Sequence, residues 1–398
     1  MTDKQFDIRE VPSSDPANLL LAKYAFTTTP TVPDKEKDER YLQQRSDDRI
    51  FFSYVDNEPI ARVGVIPMTQ NVRGTVMPMG GVSGVASMPS ARRGGHIRAL
   101  MTHSIEQMHA DGQPVSTLYP FKTSYYEKFG FSGWQVPLWV RIQPAALASY
   151  MKFPKHGDVK HRLSTDVKDE LYDFLKASQQ HVHGMSRLPR VRFDNGAERN
   201  PTWFMSVHEG DEITGGICYK LNLDQNEVME VREVFWSTLN GKLNVLDFMA
   251  RHVDQVKQIR MPLLPGSEPH LWFSDDGETT ILSNEEFSWG APMGRIVTLT
   301  GLQGIPVGDA KASVTVNDPQ APWNNGTWTL SGRNGELEVR EGGTPGGEVS
   351  IAGLSAMLFS GLDPEMLPLR GWGSVDAESA ASLKTLFPPI TPYLHELF

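Results

Sequence analysis

Cysteine is almost absent from this sequence, since Cys218 is the single one among 398 residues. One cysteine excludes an internal disulfide, which suits a reducing compartment such as the cytoplasm. Cys218 lies in the strand-like stretch ITGGICYKL, where a small buried residue is the expected role. His181 and His183 in QQHVHGM have no clustered carboxylates or thiols beside them. We therefore expect no disulfide, no nucleophilic cysteine and no metal.

Long apolar runs and positive charge are also lacking. Every apolar run is broken by glycine, proline or charge, and none approaches the roughly 20 residues that cross a bilayer. The opening MTDKQFDIRE is too polar for a secretory signal. The formal charge of −10 leaves no basic face for nucleic acid. We expect a cytoplasmic globular protein without a nucleic-acid or membrane partner, whose acidic balance favours cationic small molecules.

The first 150 residues alternate between strand and helix patterns. After two helices, residues 49–87 read as three antiparallel strands joined at Asn57 and at Arg73-Gly74, which are favourable turn residues. The next stretch, HIRALMTHSIEQMHADG, places its apolar residues on one helix face. A buried strand PVSTLYP, a short helix TSYYEKF and a last strand region GFSGWQVPLWVRI follow. This order predicts a mixed sheet with one central helix.

The rest of the chain divides into two further segments. Residues 151–290 repeat the same order of elements more faintly, but their strand-to-helix junction FWSTLNGKLNVL has one glycine and no arginine pair. Residues 291–398 are rich in glycine, proline and asparagine, which is typical of short strands joined by tight turns, and two helices close the segment. The predicted fold class is α+β with mixed sheets, in domains 1–150, 151–290 and 291–398.

One strand-to-helix junction contains most of the candidate binding residues. In GVASMPSARRGGHIRALM, residues 84–101, a strand ending at Pro89 and a helix starting near Gly95 would leave the N–H groups of about residues 92–97 unpaired at the positive end of a helix dipole. Paired glycines let a diphosphate approach the backbone, and paired arginines add charged donors. Neither a P-loop nor a G-x-G-x-x-G pattern is present. The alternative is a surface turn with incidental cations.

The pattern V-x-x-x-P-x-x-R-R-x-G, followed by a helix, a strand and YYEKFGF, resembles the acetyl-CoA motif of GNAT N-acetyltransferases. The whole chain resembles the Eis (enhanced intracellular survival) family within them. This resemblance implies a GNAT domain, a degenerate GNAT-like domain and a sterol-carrier-protein-like domain, with acetyl-CoA as co-substrate and a homo-oligomer, a hexamer, as the assembly. The chain departs from the family pattern [QR]-x-x-G-x-[GA] at its last position, where it has Ile97.

The resemblance also implies the residues that bind acetyl-CoA. Pantetheine would lie along the backbone of one strand, the diphosphate at the junction, and a further contact at the next short helix. In that order the expected residues are Val85, Ala86 and Ser87, then Arg92, Arg93, Gly94, Gly95, His96 and Ile97, and finally Ser124. For His96 we expect a backbone donor with an exposed ring, and for Ser124 the alternative role is a helix N-cap.

Two groups are expected to handle protons. By resemblance, Tyr126 is the general acid, and the α-carboxylate of the last residue, Phe398, is the general base. A docked terminus would explain why the chain ends in apolar residues, because chain ends are usually polar and mobile. The alternatives are a Tyr126 that only packs the FGF turn and a tail that packs on its own domain.

The resemblance implies acetylation of amine-bearing, polycationic small molecules, aminoglycosides being the class. The acidic residues Glu36, Asp38 and Glu39 in KEKDERY could line such a site or form a solvated helix face. A protein or peptide lysine is an alternative acceptor. Two other classes stay open: a carrier with an apolar cavity inside residues 291–398, and a scaffold in which both GNAT copies are inactive.

Overall fold

The computed structural model describes residues 6–27, 30, 34–43, 45–224, 226–272, 279–282, 291–394 and 396–398. The helices in this part of the chain are α1 Pro16–Phe26, α2 Lys35–Gln43, α3 His96–Ala110, α4 Thr123–Tyr126, α5 Lys168–Gln179, α6 Arg190–Arg199, α7 Leu239–Ala250, α8 Ile351–Ser360 and α9 Ala377–Leu386. The strands are β1 Asp7–Val11, β2 Arg49–Val55, β3 Glu58–Val72, β4 Thr75–Ser87, β5 Val115–Leu118, β6 Ser132–Gly133, β7 Trp139–Ile142, β8 Asp158–Leu163, β9 Ser186–Arg187, β10 Trp203–Glu209, β11 Glu212–Asn222, β12 Val228–Trp236, β13 Gln258–Pro262, β14 Thr279–Leu282, β15 Met293–Ile296, β16 Lys311–Asn317, β17 Gly326–Arg333, β18 Glu336–Glu341, β19 Gly347–Ser350 and β20 Gly373–Val375. None of these helices has the length and apolar character needed to cross a membrane.

The first sheet is mixed, as predicted, and has the order β1-β2-β3-β4-β5-β15-β6, with β9 on β3. Strands β2, β3 and β4 form the expected antiparallel meander. Its turns use left-handed backbone at Asn57 (φ 63°) and at Arg73 (φ 51°), the conformation that tight hairpin turns require. Strand β5 runs parallel to β4, so α3 forms the crossover between them.

The second sheet has the order β14-β7-β13-β12-β11-β10-β8, and the third has the order β18-β17-β16-β19-β20. Two strands lie across the predicted domain boundaries. Strand β7, which falls in the predicted first domain, pairs with β13 and β14 of the second sheet. Strand β15, from the predicted third domain, pairs with β5 and β6 of the first. Strand character is local, whereas the choice of sheet depends on which edge is free in the folded chain.

The first sheet and the C-terminal segment share one apolar core. It joins side chains of β3 and β4 to those of α8, α9 and the third sheet. Nine of the ten residues of α8 are buried. The apolar side chains of α8 are therefore used for packing against the first sheet.

His183 connects three parts of the chain. The backbone N–H of Arg73 donates to Nδ1 of His183 at 2.8 Å, and Nε2 lies 2.8 Å from the carbonyl oxygen of Phe359. Because a backbone N–H can only donate, Nδ1 accepts and Nε2 carries the proton. Burial lowers the pKa of His183 to about 4. The imidazole is therefore neutral in the folded protein at pH 7.

This burial predicts a loss of stability in acid. The unfolded chain protonates His183 at its ordinary pKa of about 6.5, while the folded chain does so only near 4. The contribution of His183 to the free energy of unfolding is therefore complete above pH 6.5. It falls by about 3 kcal/mol as the pH drops to 4. Urea denaturation at several pH values should show a flatter pH profile for His183→Gln than for the wild type. His181→Gln, whose side chain is exposed, is the control. Parallel profiles for the wild type and His183→Gln would contradict the assignment.

Candidate active site

The site begins where β4 and β5 separate. These strands pair only at Met79, Gly80 and Gly81 of β4, opposite residues 115–117. Beyond that point β4 pairs with β3 alone, and a bulge with Gly84 at φ 57° bends it. The predicted pantetheine strand, Val85–Ser87, lies in this separated part. Its edge facing β5 has no strand partner in the described chain, so its backbone could pair with an extended ligand as a further strand would.

The junction after β4 differs in one respect from the expectation. A 3₁₀ turn at Pro89–Ala91 comes between the strand and α3. The N–H of Arg92 donates to Pro89 O at 3.3 Å, and the N–H of Gly94 donates to Ala91 O at 3.2 Å. The prediction that all N–H groups of about residues 92–97 are free is therefore wrong, because this tight i to i+3 bonding uses two of them.

The start of α3 keeps free donors. Its first backbone hydrogen bond joins Ala99 N to Gly95 O at 3.0 Å, so the N–H groups of Ile97 and Arg98 have no acceptor among the described residues. Arg93 and Gly95 both have left-handed backbone, with φ values of 65° and 94°. Alternation of this kind turns successive N–H groups toward one point and forms an anion-binding concavity.

The arginine pair is exposed beside these donors. The side chains of Arg92 and Arg93 lie at the surface, and neither has an ion-pair partner in the described part of the chain. An arginine pair that no carboxylate neutralises is suited to a phosphate ligand. The predicted diphosphate residues thus lie together, from Arg92 to Ile97.

His96 is a correction. The residue is only 8% exposed, so its ring is not open to solvent as expected. Its Nδ1 lies 2.8 Å from the hydroxyl oxygen of Ser53, and the ring of Phe6 packs edge-on at 5.0 Å. The ring therefore packs against Phe6 and the Ser53 hydroxyl of β2 instead of facing solvent.

Helix α4 positions Tyr126. Its N-cap is Lys122, so the alternative N-cap role of Ser124 is wrong, and Ser124 is an exposed residue in the first turn. Tyr126 is 3% exposed, and its hydroxyl makes no hydrogen bond with a described residue. Burial, with a smaller effect of Tyr125, raises the pKa of Tyr126 well above its ordinary value. The phenol is therefore protonated throughout the physiological pH range.

Tyr126 and Phe398 line the same cavity. It has a volume of about 740 Å³ and lies over the separated strands, with α1 and α2 forming the opposite wall. The Phe398 ring lies where β4 and β5 separate, next to Gly81. A Cβ added to Gly81 would be 3.1 Å from the ring. The ring of Tyr119 packs edge-on against it at 5.7 Å. The terminal carboxylate has neither a hydrogen bond nor an ion pair with any described residue.

Charges of both signs line the cavity. Asp38 pairs with Lys23 at 2.6 Å, so its charge is compensated. Asp34 has no ion pair in the described chain. Of the predicted acidic group, Glu36 and Glu39 are exposed and do not line this cavity, so the solvated-face alternative holds for them. Among the described lining residues, Asp34 and the carboxylate of Phe398 are the anions without an ion pair.

The remaining candidates from the sequence are structural. Cys218 is 3% exposed in β11, as predicted, and burial raises the pKa of its thiol. Within the described ranges, no group of three or more histidine, cysteine or acidic side chains is arranged to hold a metal ion.

Sequence reasoning missed four residues around the terminus. Gly81 and Tyr119 contact the Phe398 ring, while Arg187 and Glu396 form an ion pair just before it. Gly81 sits in the run MPMGGVSGVAS, where closely spaced glycines could have indicated a close approach. The other three depend on contacts between distant parts of the chain and have no local signature.

Two family models match the chain. Residues 8–133 match the acetyltransferase (GNAT) domain, and residues 300–395 match the sterol carrier protein domain. No curated protein sequence matches at a significant level. The GNAT domain implies acetyl-CoA as the co-substrate. The residues present suit it: a separated strand for pantetheine, and free N–H groups with two exposed arginines for the diphosphate.

Solved structures show the same fold over the whole chain. A GCN5-related N-acetyltransferase from Anabaena variabilis has 19% identity and a TM-score of 0.83, with 99% of this chain and 100% of that one covered. A protein from Enterococcus faecalis described as a probable N-acyltransferase has 20% identity and a TM-score of 0.83, with the same coverage. Eis1 from Mycobacterium abscessus has 16% identity and a TM-score of 0.79, again covering 99% and 100%. The chain thus contains a GNAT acetyltransferase domain and a sterol carrier protein domain, and over its whole length it has the fold of these proteins, Eis1 among them.

Proposed function

We propose that this protein transfers the acetyl group of acetyl-CoA to amines of polycationic small molecules such as aminoglycosides, with Tyr126 as general acid and the terminal carboxylate of Phe398 as general base. One observation carries the proposal: both residues line the cavity at the separation of β4 and β5. Acetyl-CoA supplies the acetyl group, and the thiolate of CoA is the leaving group. The chain's own groups must then bind the amine and move two protons.

The terminal carboxylate suits the role of base. Carboxylates of this kind have an ordinary pKa of about 3.3 to 3.7, so the group is ionised at pH 7 and attracts an ammonium ion. No described cation neutralises it. Because an ammonium nitrogen has no lone pair, the carboxylate accepts one of its protons, directly or through one water molecule, before the nitrogen attacks.

Tyr126 suits the role of acid. Its raised pKa keeps the phenol protonated, so it donates a hydrogen bond to the sulfur on which negative charge develops. No described residue competes for its hydroxyl. Acid and base then line one cavity, and neither has to change its charge before the reaction.

The cationic acceptor class is supported by the unpaired charges. Asp34 and the terminal carboxylate supply two negative charges to the cavity wall, and Lys37 is the one cation without an ion pair among the described lining residues. Lys23 and Arg45 also line the wall, where Lys23 is paired with Asp38 and Arg45 with Asp48, an anion that it shares with Arg192. An acceptor with two ammonium groups could contact both anions at once.

The direct test is release of free CoA thiol from acetyl-CoA in the presence of amines. The panel contains an aminoglycoside, a polyamine, a lysine peptide and an apolar monoamine. The proposal expects turnover that is fastest with an aminoglycoside or polyamine. Preference for the lysine peptide would favour the alternative acceptor, and no turnover with any amine would overturn the proposal in favour of an inactive scaffold.

The arginine pair should control acetyl-CoA binding. A charge-assisted hydrogen bond contributes about 1.5–3 kcal/mol, which corresponds to a factor of about 10 to 100. We expect Arg92→Glu and Arg93→Glu each to raise the KM for acetyl-CoA by at least about tenfold, with little change in kcat at saturation. Arg333→Glu, at an exposed position in the third domain, is the matched control. Unchanged KM values for both variants would mean that the pair is an ordinary surface turn.

The cytoplasmic location and the hexameric assembly stay predictions. The first rests on the single buried cysteine, which suits a reducing compartment. The second rests on the family resemblance, and the molar mass in solution by light scattering tests it.

A further inference from the structure

The segment just before the terminal carboxylate is fixed at two backbone positions. The N–H of Tyr393 donates to the carbonyl oxygen of His183 at 2.8 Å. The hydroxyl of Tyr119 donates to the carbonyl oxygen of Leu394 at 3.2 Å. Both Tyr393 and Leu394 are buried, at 2% and 1% exposure. The chain is thus held between the end of β5 and the loop that contains His183, four residues before it ends.

That loop is shaped for the tail. Gly184 has left-handed backbone with φ 83°. A Cβ placed on it would lie 2.6 Å from the backbone nitrogen of Tyr393, closer than real Cβ contacts allow. Glycine is therefore required here both by its backbone conformation and by the approach of the tail. A side chain at this position would push Tyr393 out of place.

A buried ion pair holds the tail nearer its end. Nη1 of Arg187 lies 3.4 Å from Oε2 of Glu396, and the side chains are 3% and 11% exposed. Glu233 of β12 lies 4.0 Å from the same nitrogen. Removing a charged group from water is costly unless an opposite charge compensates it. Arg187 and Glu396 therefore restrain each other, with Glu233 as a second anion.

Arg187 lies on a short strand that is paired with the first sheet. Arg187 belongs to β9, which pairs antiparallel with β3 at Thr69 and Gln70. Strand β9 comes from the second segment but extends the first sheet, so it connects the tail directly to the sheet that carries the active site. Glu396 is two residues before Phe398. Since a residue spans at most about 3.6 Å, fixing Glu396 restricts the terminal carboxylate to a small volume.

We propose that Arg187 is a positioning residue for acetyl transfer: its ion pair with Glu396 holds the terminal carboxylate in the acceptor cavity. The inference rests on the proposed function, because it requires that carboxylate to be the base. It gives the second segment, whose strand-to-helix junction lacks the arginine pair, a role in the reaction. A small displacement of a catalytic group is enough to lower a rate by about 100-fold.

The test uses the full-length protein and the variants Glu396→Gln, Arg187→Gln and Arg187→Lys. We expect the two glutamine variants to lower kcat by about 10- to 100-fold, with the KM for acetyl-CoA and the CoA dissociation constant within twofold of the wild type. Arg187→Lys should recover much of the loss. Arg190→Gln is the matched control, because Arg190 is close in sequence and its ion pairs with Asp169 and Asp194 are far more accessible to solvent than that of Arg187.

Glu396→Gln is the decisive variant, because it changes a side chain of the tail and leaves Arg187 paired with Glu233. A purely structural role would lower the amount of CoA-binding protein without changing kcat per CoA site. Rates are therefore divided by the CoA-binding stoichiometry. A kcat within twofold of the wild type for Glu396→Gln would overturn the inference.

Failure of this inference can be told apart from failure of the proposed base. A chain extended past Phe398 by two glycines moves the carboxylate away from the cavity. If the extension leaves kcat unchanged, the base assignment is wrong, and the inference fails with it. If the extension lowers kcat but Glu396→Gln does not, only the inference fails. If both lower it, the inference expects Glu396→Gln to cause no further loss in the extended chain.

Discussion

Adding two glycines after Phe398 should lower kcat for amine acetylation by about 10²- to 10⁴-fold, the range that a positioned acid or base contributes. The extension alters no existing side chain, including the Phe398 ring that packs at Gly81 and Tyr119. It replaces the carboxylate at Phe398 by a neutral amide, which cannot accept the amine proton. The KM for acetyl-CoA should stay within about threefold, because the residues proposed to bind the diphosphate lie on a different element.

The control for this variant is Phe398→Leu, which keeps the terminal carboxylate and alters only the ring. Phe398→Leu should lower kcat much less than the extension does, since a smaller apolar side chain can still pack where β4 and β5 separate. Thiol release at saturating acetyl-CoA measures both variants. Wild-type kcat in the extended chain would remove the carboxylate from the reaction, and a base would then have to be sought among Asp34 and the other cavity residues.

Local chemistry accounts for what the sequence predicts well. The turn at Asn57 requires left-handed backbone, and asparagine adopts it readily, so the hairpin can be read from the chain. Helix α1 begins after Asp15, whose carboxylate accepts from the N–H of Ala17 at 2.8 Å. The apolar residues near Phe398 likewise predict a docked segment. In the structure Tyr393 and Leu394 are buried.

The failures concern long-range contacts and missing apolar patterns. Helix α6 is absent from the prediction because none of its residues is buried, so there is no apolar stripe to detect. Nothing in the local sequence of β7 or β15 predicts that each pairs with the sheet of a neighbouring segment. His96 is misjudged because its partner, Ser53, is 43 residues away. Arg187 and Glu396 are 209 positions apart, and only the fold shows that they meet.

Tyr126→Phe should lower kcat by about 10²- to 10³-fold, because it removes the hydroxyl that we propose donates to the leaving sulfur. The ring remains, and so does its packing against Phe131 and the surrounding core, so the fold is expected to be retained. The KM for acetyl-CoA should change little, since the loss falls on the transition state rather than on binding.

The adjacent tyrosine provides the matched control. Tyr125 is partly buried, packs edge-on against Tyr126 at 5.3 Å, and does not line the cavity. We expect Tyr125→Phe to reduce kcat by no more than about threefold, as substitutions that touch no reacting group usually do little. A large loss in Tyr125→Phe together with a near-normal Tyr126→Phe would transfer the acid role to Tyr125.

The pH dependence gives a second, independent check on Tyr126. Burial raises its pKa above the ordinary value of about 10, so the phenol keeps its proton to higher pH than a free tyrosine. The wild-type kcat should therefore show no decline from loss of this proton below about pH 10. A tyrosine with a lowered pKa would instead produce a falling limb near neutral pH. Such a limb in the wild type, lost in Tyr126→Phe, would show that the phenol ionises during the assay and that the buried, hydrogen-bond-donating acid assigned here is wrong.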